Sequence, residues 1–207
     1  MYLGFRPYVE RLINALCKHC QIEPGTEGLP EEGNDFADFR FRVIDLLREI
    51  IFIAGPTNVF KHMLEHLSGA STTPTSWEVT EAALFIMQAT ARNLDPSVDE
   101  SVAQVLDSLL NVPETAHIAI RHISVKLVGE LCVWIAKHPE FLERILNWIL
   151  VGLQAPLLSS AAAHTLVTNE IYVTITYVKL VHYASSEIYH LHLFAQAFCK
   201  HGDENVQ

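Results

Sequence analysis

Two histidines and a glutamate lie at a spacing that holds zinc in some hydrolases. The stretch His62-Met63-Leu64-Glu65-His66 fits H-x-x-E-H, in which histidines one helical turn apart bind the metal and the glutamate is the general base. The pattern fixes only three positions, and no third ligand is indicated downstream. The alternative is the polar face of a short helix with its apolar residues turned inward. We therefore expect no metal site and no enzyme; metal analysis of the purified protein would test the zinc hydrolase.

The cysteines offer a second candidate for metal or redox chemistry. Cys17 and Cys20 form a C-x-x-C motif, and Cys199 with His201 lies about 180 residues further along the chain. A structural zinc site normally takes its second ligand pair at a close and defined spacing, and a redox motif needs a βαβ context. Cys17 and Cys20 instead fit the apolar face of a helix, where a buried cysteine acts as a small hydrophobic residue. We predict no cofactor.

An acidic loop is the best candidate for binding a partner. Between residues 23 and 38 the chain carries a dense set of carboxylates, which are Glu23, Glu27, Glu31, Glu32, Asp35 and Asp38. Carboxylates at this density can pair with Arg or Lys of a partner, and with Arg in a bidentate manner. One alternative is a solvated charge run that only keeps an apolar protein soluble. Another is neutralisation within the chain by Arg40, Arg42 and Arg48.

Composition limits the class of protein. The 207 residues are half apolar and carry a formal charge of −10, which argues against a general nucleic-acid binder and favours basic partners. Four cysteines and no visible secretory leader favour a reducing, intracellular compartment. Residues 145–169 carry no formal charge when His164 is neutral, and a stretch of this length could in principle cross a membrane. However, Asn147, Gln154 and Pro156 interrupt its apolar character. We expect two buried helices there and no membrane span.

Helical periodicity dominates the first three quarters of the chain. Apolar residues recur at spacings of three and four in segments that end at Pro, Gly or Asn, which predicts amphipathic helices. Asp35 is expected to cap the second helix, Gly55 and Pro56 to end it, and Ser76 to start the fourth. The predicted apolar faces of the first two helices include Leu12, Ile13 and Cys17, then Phe39, Val43, Leu46 and Leu47.

The stretch from residue 118 to 163 predicts how these helices are arranged. It reads IAIRHISVKLVGELCVWIAKHPEFLERILNWILVGLQAPLLSSAAA, with one long helix opened by Pro113-Glu114, a break at Pro139 and a second break at Pro156. Turns this short join antiparallel neighbours. Seven helices are predicted before residue 155, in pairs about 40 residues apart. The predicted fold is an all-α solenoid of HEAT-type hairpins over residues 1–163. Residues 164–207 form a divergent tail, in which 171–178 is β-branched and aromatic and favours a strand.

Three segments carry a resemblance to a known family. CKHCQIEPGTEGLPEEGNDFADFRFRVIDLL, WEVTEAALFIMQATARNLDP and KLVGELCVWIAKHPEFLERILNWILVGLQAPLLSSAAA resemble the middle of the transportin-SR and importin-13 type of nuclear import receptors, in the importin-β family. They cover roughly residues 8–163. The resemblance implies binding of arginine/serine-rich cargo proteins such as splicing factors, release by the Ran GTPase in its GTP form, and localisation in cytoplasm and nucleus. It implies no cofactor.

The resemblance also implies that this chain is an incomplete form. Receptors of the family are several times longer, and their amino-terminal repeats for Ran and carboxy-terminal repeats for cargo have no counterpart here. We therefore expect the chain alone to be marginally soluble or inactive as a receptor, and residues 164–207 to be an alternative or erroneous C-terminus, such as intron sequence read as coding. The alternative function is a HEAT-repeat scaffold between proteins that does not respond to Ran.

Overall fold

The computed structural model describes residues 2–31, 33–69, 76–95, 97 and 100–168. These residues are helices joined by short loops, and none of them is in a strand. The helices are α1 (Tyr2–His19), α2 (Asp35–Ala54), α3 (Pro56–Gly69), α4 (Trp77–Ala91), α5 (Glu100–Leu110), α6 (Ile118–Glu130), α7 (Cys132–Lys137), α8 (Leu142–Gln154) and α9 (Ser159–Thr168). A short 3-10 turn, Pro139–Phe141, leads into α8.

The helices form two layers. In one layer α1 contacts α3, α3 contacts α5, and α5 contacts α8. In the other layer α2 contacts α4, α4 contacts α6, and α6 contacts α9. Successive hairpins such as α1–α2, α3–α4 and α8–α9 therefore stack side by side, each contributing one helix to each layer. The prediction of an all-α solenoid of helical hairpins is confirmed.

Most of the predicted apolar positions are in the core. Ile13, Leu47, Ile86, Leu106 and Ile145 are each at most 1% exposed, and they come from five different helices. Apolar stripes on separate helices therefore merge into one continuous core, as in other repeat proteins.

Three positions predicted to face the core are exposed instead. Leu12 of α1 and Phe39 and Leu46 of α2 are between 38% and 41% exposed. Each of the three side chains lies at the edge of the buried face of its helix, on the side away from the next hairpin. The prediction was wrong because periodicity identifies an apolar stripe but not how much of it a neighbour covers.

Several predicted helix ends differ from the structure. The apolar pattern predicts that the first helix runs from about residue 7 to 20, but helix α1 starts at Tyr2 and Pro7 lies inside it. The N-cap of α2 is Asn34, not Asp35, because the Asn34 side chain accepts a hydrogen bond from the backbone N–H of Ala37. Helix α2 ends as predicted at Gly55, whose φ of 83° favours glycine.

The long helix predicted after Pro113 starts later and is interrupted. Its N-cap is His117, whose ring nitrogen accepts a hydrogen bond from the Ala119 N–H, so the predicted start at Pro113-Glu114 is wrong. Leu131, with φ −81° and ψ 6°, separates α6 from α7. The break at Pro139 and the helix after Pro156 are confirmed.

The tail is described only at its beginning. Helix α9 runs without interruption across residue 163 and reaches Thr168. The predicted strand at 171–178 lies outside the described residues. The division into residues 1–163 and 164–207 stays a prediction.

Candidate partner-binding loop

The acidic loop, residues 21–34, joins α1 to α2 and presents its carboxylates to solvent. Glu23, Glu27 and Glu31 are exposed, as are Asp35 and Asp38 in the first turn of α2. The positive end of the helix dipole favours the two aspartates at that place. Glu32 lies outside the described residues. The loop therefore offers negative charge that other side chains do not cover.

The start of the loop is held by a buried arginine. The Arg40 guanidinium in α2 donates through Nε (3.1 Å) and Nη2 to the backbone carbonyl of Cys20, the residue that follows α1. These bonds satisfy a carbonyl at the end of a helix, where no backbone partner exists. Arg40 thus fixes where the chain leaves α1.

The same guanidinium forms a buried ion pair. Arg40 Nη1 lies 2.9 Å and Nη2 2.5 Å from the two carboxylate oxygens of Glu81 in α4, and the side chains are 12% and 4% exposed. The rings of Phe36 and Phe85 lie 4.8 and 4.6 Å from the guanidinium carbon. Arg40 therefore neutralises Glu81 in the interior, and the idea that it neutralises the acidic loop is wrong. Arg48 is bonded to Asp45 of its own helix.

The middle of the loop is held by a histidine from a distant part of the chain. His117 Nε2 lies 2.8 Å from the backbone carbonyl oxygen of Thr26, while Nδ1 caps α6 through Ala119. The two bonds together require the hydrogen on Nε2, which donates to Thr26. The Trp77 ring stacks on the imidazole at a centroid distance of 3.6 Å. The loop is thereby attached to the first residues of both α4 and α6.

Local bonds complete the loop. The Thr26 hydroxyl donates to the carbonyl of Glu23 at 2.7 Å, and the Thr26 N–H donates to the same oxygen at 3.2 Å. At the far end, Gly33 has φ 76° and leads into the Asn34 cap. Among its described residues, the acidic loop is therefore held at its start by Arg40 and in its middle by His117, and it ends in the Asn34 cap of α2.

The start of α4 next to this loop matches the sequence prediction. Helix α4 begins at Trp77 with Ser76 as N-cap, although the Ser76 side chain makes no hydrogen bond to the helix backbone. It bonds to Glu78 instead, and this bond lowers the pKa of the Glu78 carboxyl. Thr75 lies outside the described residues.

Cys17 of α1 and Cys20, which follows this helix, are buried as predicted, and they lie near the Arg40–Glu81 ion pair. Cys17 and Cys20 are 2% and 0% exposed. Burial raises the pKa of the Cys17 thiol to about 11 and that of the Cys20 thiol to about 12, and the nearby Arg40 opposes both shifts. Both thiols are therefore protonated at neutral pH, which favours a packing role over a nucleophilic one.

The two histidines of the H-x-x-E-H motif lie on α3, four residues apart. His62 Nε2 lies 2.9 Å from the side-chain oxygen of Asn14 in α1, and His66 is exposed. In the described part of the chain, no three His, Cys, Asp or Glu residues are grouped so that they could hold a metal. Among the same residues, no helix has the length and apolar character that crossing a membrane requires.

Sequence reasoning did not identify the residues that anchor the loop. Glu81 is buried and directly precedes the buried apolar run Ala82 to Met87, and a charge at such a place signals a buried partner. His117 gave no comparable signal, because its partner Thr26 is 91 positions away.

Known proteins are similar to this chain in sequence. Residues 99–181 match the family model described as the Transportin-3/Importin-13 third TPR domain. The "mRNA transport regulator MTR10" of Saccharomyces cerevisiae is 31% identical over 144 residues, covering 70% of this chain and 15% of that protein. Importin-13 of Homo sapiens is 24% identical over 168 residues, covering 78% of this chain and 17% of that protein.

The fold and these similarities define a helical-repeat protein of the TPR and HEAT type. The chain belongs to the importin-β family, in the branch that contains transportin-3 and importin-13. It spans about one sixth of the length of the relatives it matches. The match to the family model extends beyond Ala163, to residue 181.

Proposed function

We propose that the chain acts as a partner-binding segment of an importin-type nuclear import receptor and that the acidic loop contacts the arginines of arginine/serine-rich cargo. The observation that carries this proposal is the anchoring of the loop by Arg40 and His117, together with the exposure of Glu27 and Glu31. A loop that is already ordered loses little conformational entropy when it binds. The family and the net charge of −10 support the same partner class.

The proposed receptor moves between cytoplasm and nucleus and releases its cargo when GTP-bound Ran binds. Family membership supports this cycle. Because the chain spans about one sixth of its relatives, we expect the isolated chain to bind cargo weakly and without sensitivity to Ran.

The test measures binding of an arginine/serine-rich peptide by fluorescence anisotropy, to the wild-type chain and to the Glu27→Gln/Glu31→Gln variant. Each exposed ion pair is worth roughly 0.2–1 kcal/mol, so the double variant should bind about two- to thirtyfold more weakly. The control is Glu140→Gln/Glu143→Gln, which neutralises two exposed glutamates at the other end of the described chain. Equal binding by both variants would refute the role of the loop.

Two further arms separate cargo binding from other functions. Phosphorylation of the peptide places negative charge beside its arginines, so it should weaken binding that depends on the acidic loop. Addition of Ran loaded with GTP or GDP tests the receptor cycle. If GTP-bound Ran abolishes peptide binding and GDP-bound Ran does not, the chain keeps receptor function by itself. If GTP-bound Ran leaves partner binding unchanged, both in this chain and in full-length relatives, the non-transport scaffold is favoured.

A further inference from the structure

The outer side of α2 carries two strongly exposed phenylalanine side chains. Phe41 is 63% and Phe52 is 92% exposed. An exposed acid precedes each of them by three residues, Asp38 before Phe41 and Glu49 before Phe52. Residues three apart on a helix are neighbours on its surface, so each ring has a carboxylate one helical turn away. We call these four residues the acid–aromatic stripe.

The two pairs of the stripe repeat at the same place on the helix. Phe52 follows Phe41 by eleven residues, and Glu49 follows Asp38 by the same number. Eleven residues make about three turns of an α-helix, with a rise of about 16 Å. The stripe therefore presents the same two chemical groups twice along one line.

This side of α2 differs from the sides on which neighbouring hairpins pack. Val43, Leu47 and Ala54 are at most 3% exposed and mark the side of α2 that faces the core. At about 100° per residue, Phe41 and Phe52 lie roughly 140–160° around the helix from the mean direction of these three residues. The hairpins stack side by side, so a neighbouring hairpin packs against a flank of α2, between its core side and its outer side. The exposure of the two rings therefore does not depend on which repeats come before or after.

A ring beside a carboxylate suits the guanidinium group of arginine. This planar cation can stack on an aromatic face while it donates hydrogen bonds to a carboxylate. The buried Arg40 combines the same contacts within the chain, because it bonds to Glu81 while the rings of Phe36 and Phe85 lie 4.8 and 4.6 Å from its guanidinium carbon. A nucleic acid or an acidic peptide is disfavoured, because its charge has the same sign as that of the stripe.

The stripe continues the surface of the acidic loop. Asp38 lies in the first turn of α2, which directly follows the loop. Between the two rings, Asp45 and Arg48 form a local ion pair at 2.8 Å and offset each other's charge. An extended peptide rises about 3.3 Å per residue, so about five of its residues span the distance between the rings. A segment with arginine at every second position can therefore reach both pairs.

We propose that the acid–aromatic stripe binds arginine side chains of the cargo segment that the acidic loop contacts, and that its two rings select arginine over lysine. This role rests on the proposed function, because the segment is the same one. The loop attracts positive charge, and Phe41 and Phe52 distinguish a planar cation from a compact one. Opposite charge and the repeated pair of ring and carboxylate identify the occupant.

The experiment measures the binding of two unphosphorylated peptides to the full chain by fluorescence anisotropy, one of arginine–serine repeats and one of lysine–serine repeats. The wild type should bind the arginine peptide more tightly, because lysine has no planar group that stacks on a ring. Phe41→Leu/Phe52→Leu removes both rings and keeps apolar side chains, so it should bind the arginine peptide about five- to thirtyfold more weakly. Its binding of the lysine peptide should change by less than about twofold. Phe41→Tyr/Phe52→Tyr keeps the rings and should keep the preference for arginine.

Two further variants separate the role of the stripe from that of the loop. Phe5→Leu removes a ring of similar exposure (59%) on α1 and should bind both peptides as the wild type does. Glu27→Gln/Glu31→Gln should weaken the binding of both peptides alike, because the loop contributes charge and no ring. All the substituted side chains are exposed, so circular dichroism should show the same helix content in every variant.

Three results would overturn this role of the stripe. If Phe41→Leu/Phe52→Leu binds the arginine peptide as tightly as the wild type while the loop variant binds it more weakly, the stripe takes no part and the proposed function stands. If the leucine variant loses affinity for both peptides equally, the rings do not select arginine. If the wild type binds neither peptide, the stripe and the loop both fail as binding sites.

Discussion

Glu81→Gln should destabilise the protein far more than an equivalent change in an exposed ion pair. The substitution keeps the shape of the side chain and removes its charge, so Arg40 remains 12% exposed without a counter-ion. The amide oxygen of Gln can still accept one hydrogen bond from Arg40, but the amide NH2 is a donor and cannot accept the other. One charged hydrogen bond is therefore weakened and one is lost, at a cost of about 1 kcal/mol or more each. The uncompensated guanidinium adds to this, although the Cys20 carbonyl and two phenyl rings still contact it.

We expect a loss of about 3 kcal/mol, at the lower end of the 3–5 kcal/mol typical when one member of a buried pair is removed. For a chain of this size that is a fall of about 6–12 °C in the melting temperature. The assay is thermal and urea unfolding followed by circular dichroism.

The matched control is Glu10→Gln, which neutralises the exposed pair with Arg6. It should cost less than about 1 kcal/mol. If the two variants melt within a degree of each other, the Arg40–Glu81 pair does not hold α1, α2 and α4 together in the way described.

Two other predictions concern the loop anchor and the thiols. His117→Ala removes the α6 cap, the hydrogen bond to Thr26 and the stacking on Trp77, so it should lower the free energy of unfolding by about 2 kcal/mol and speed hydrogen exchange in residues 23–31. The control His66→Ala changes an exposed histidine and should have neither effect. Unchanged hydrogen exchange in the loop of the His117→Ala variant would contradict the anchoring role of His117. Burial raises the thiol pKa values of Cys17 and Cys20 to about 11 and about 12 from 9.0, so their contribution to stability is complete below pH 9 and is lost as the pH rises towards 11. The wild type should therefore lose more melting temperature between pH 8 and pH 10.5 than Cys17→Ala/Cys20→Ala, and equal losses would contradict the assigned cause.

The sequence alone determined the fold class and much of the core. Amphipathic stripes at spacings of three and four, broken by Gly55, Pro139 and Pro156, predicted the hairpins, and the structure confirms them. The burial of Cys17 and Cys20 followed from the same stripe. These features are predictable because helix formation and amphipathicity depend on residues a few positions apart.

Only the tertiary structure decided how the acidic loop is held and which apolar residues remain exposed. Arg40 and Glu81 are 41 positions apart, and Thr26 and His117 are 91 positions apart. Local periodicity contains no information on which helix packs beside which, so it assigned Arg40 to the wrong acids and placed Leu46 in the core. Contacts between hairpins settle these questions, because the partner that neutralises a charge or covers an apolar side chain comes from a different repeat.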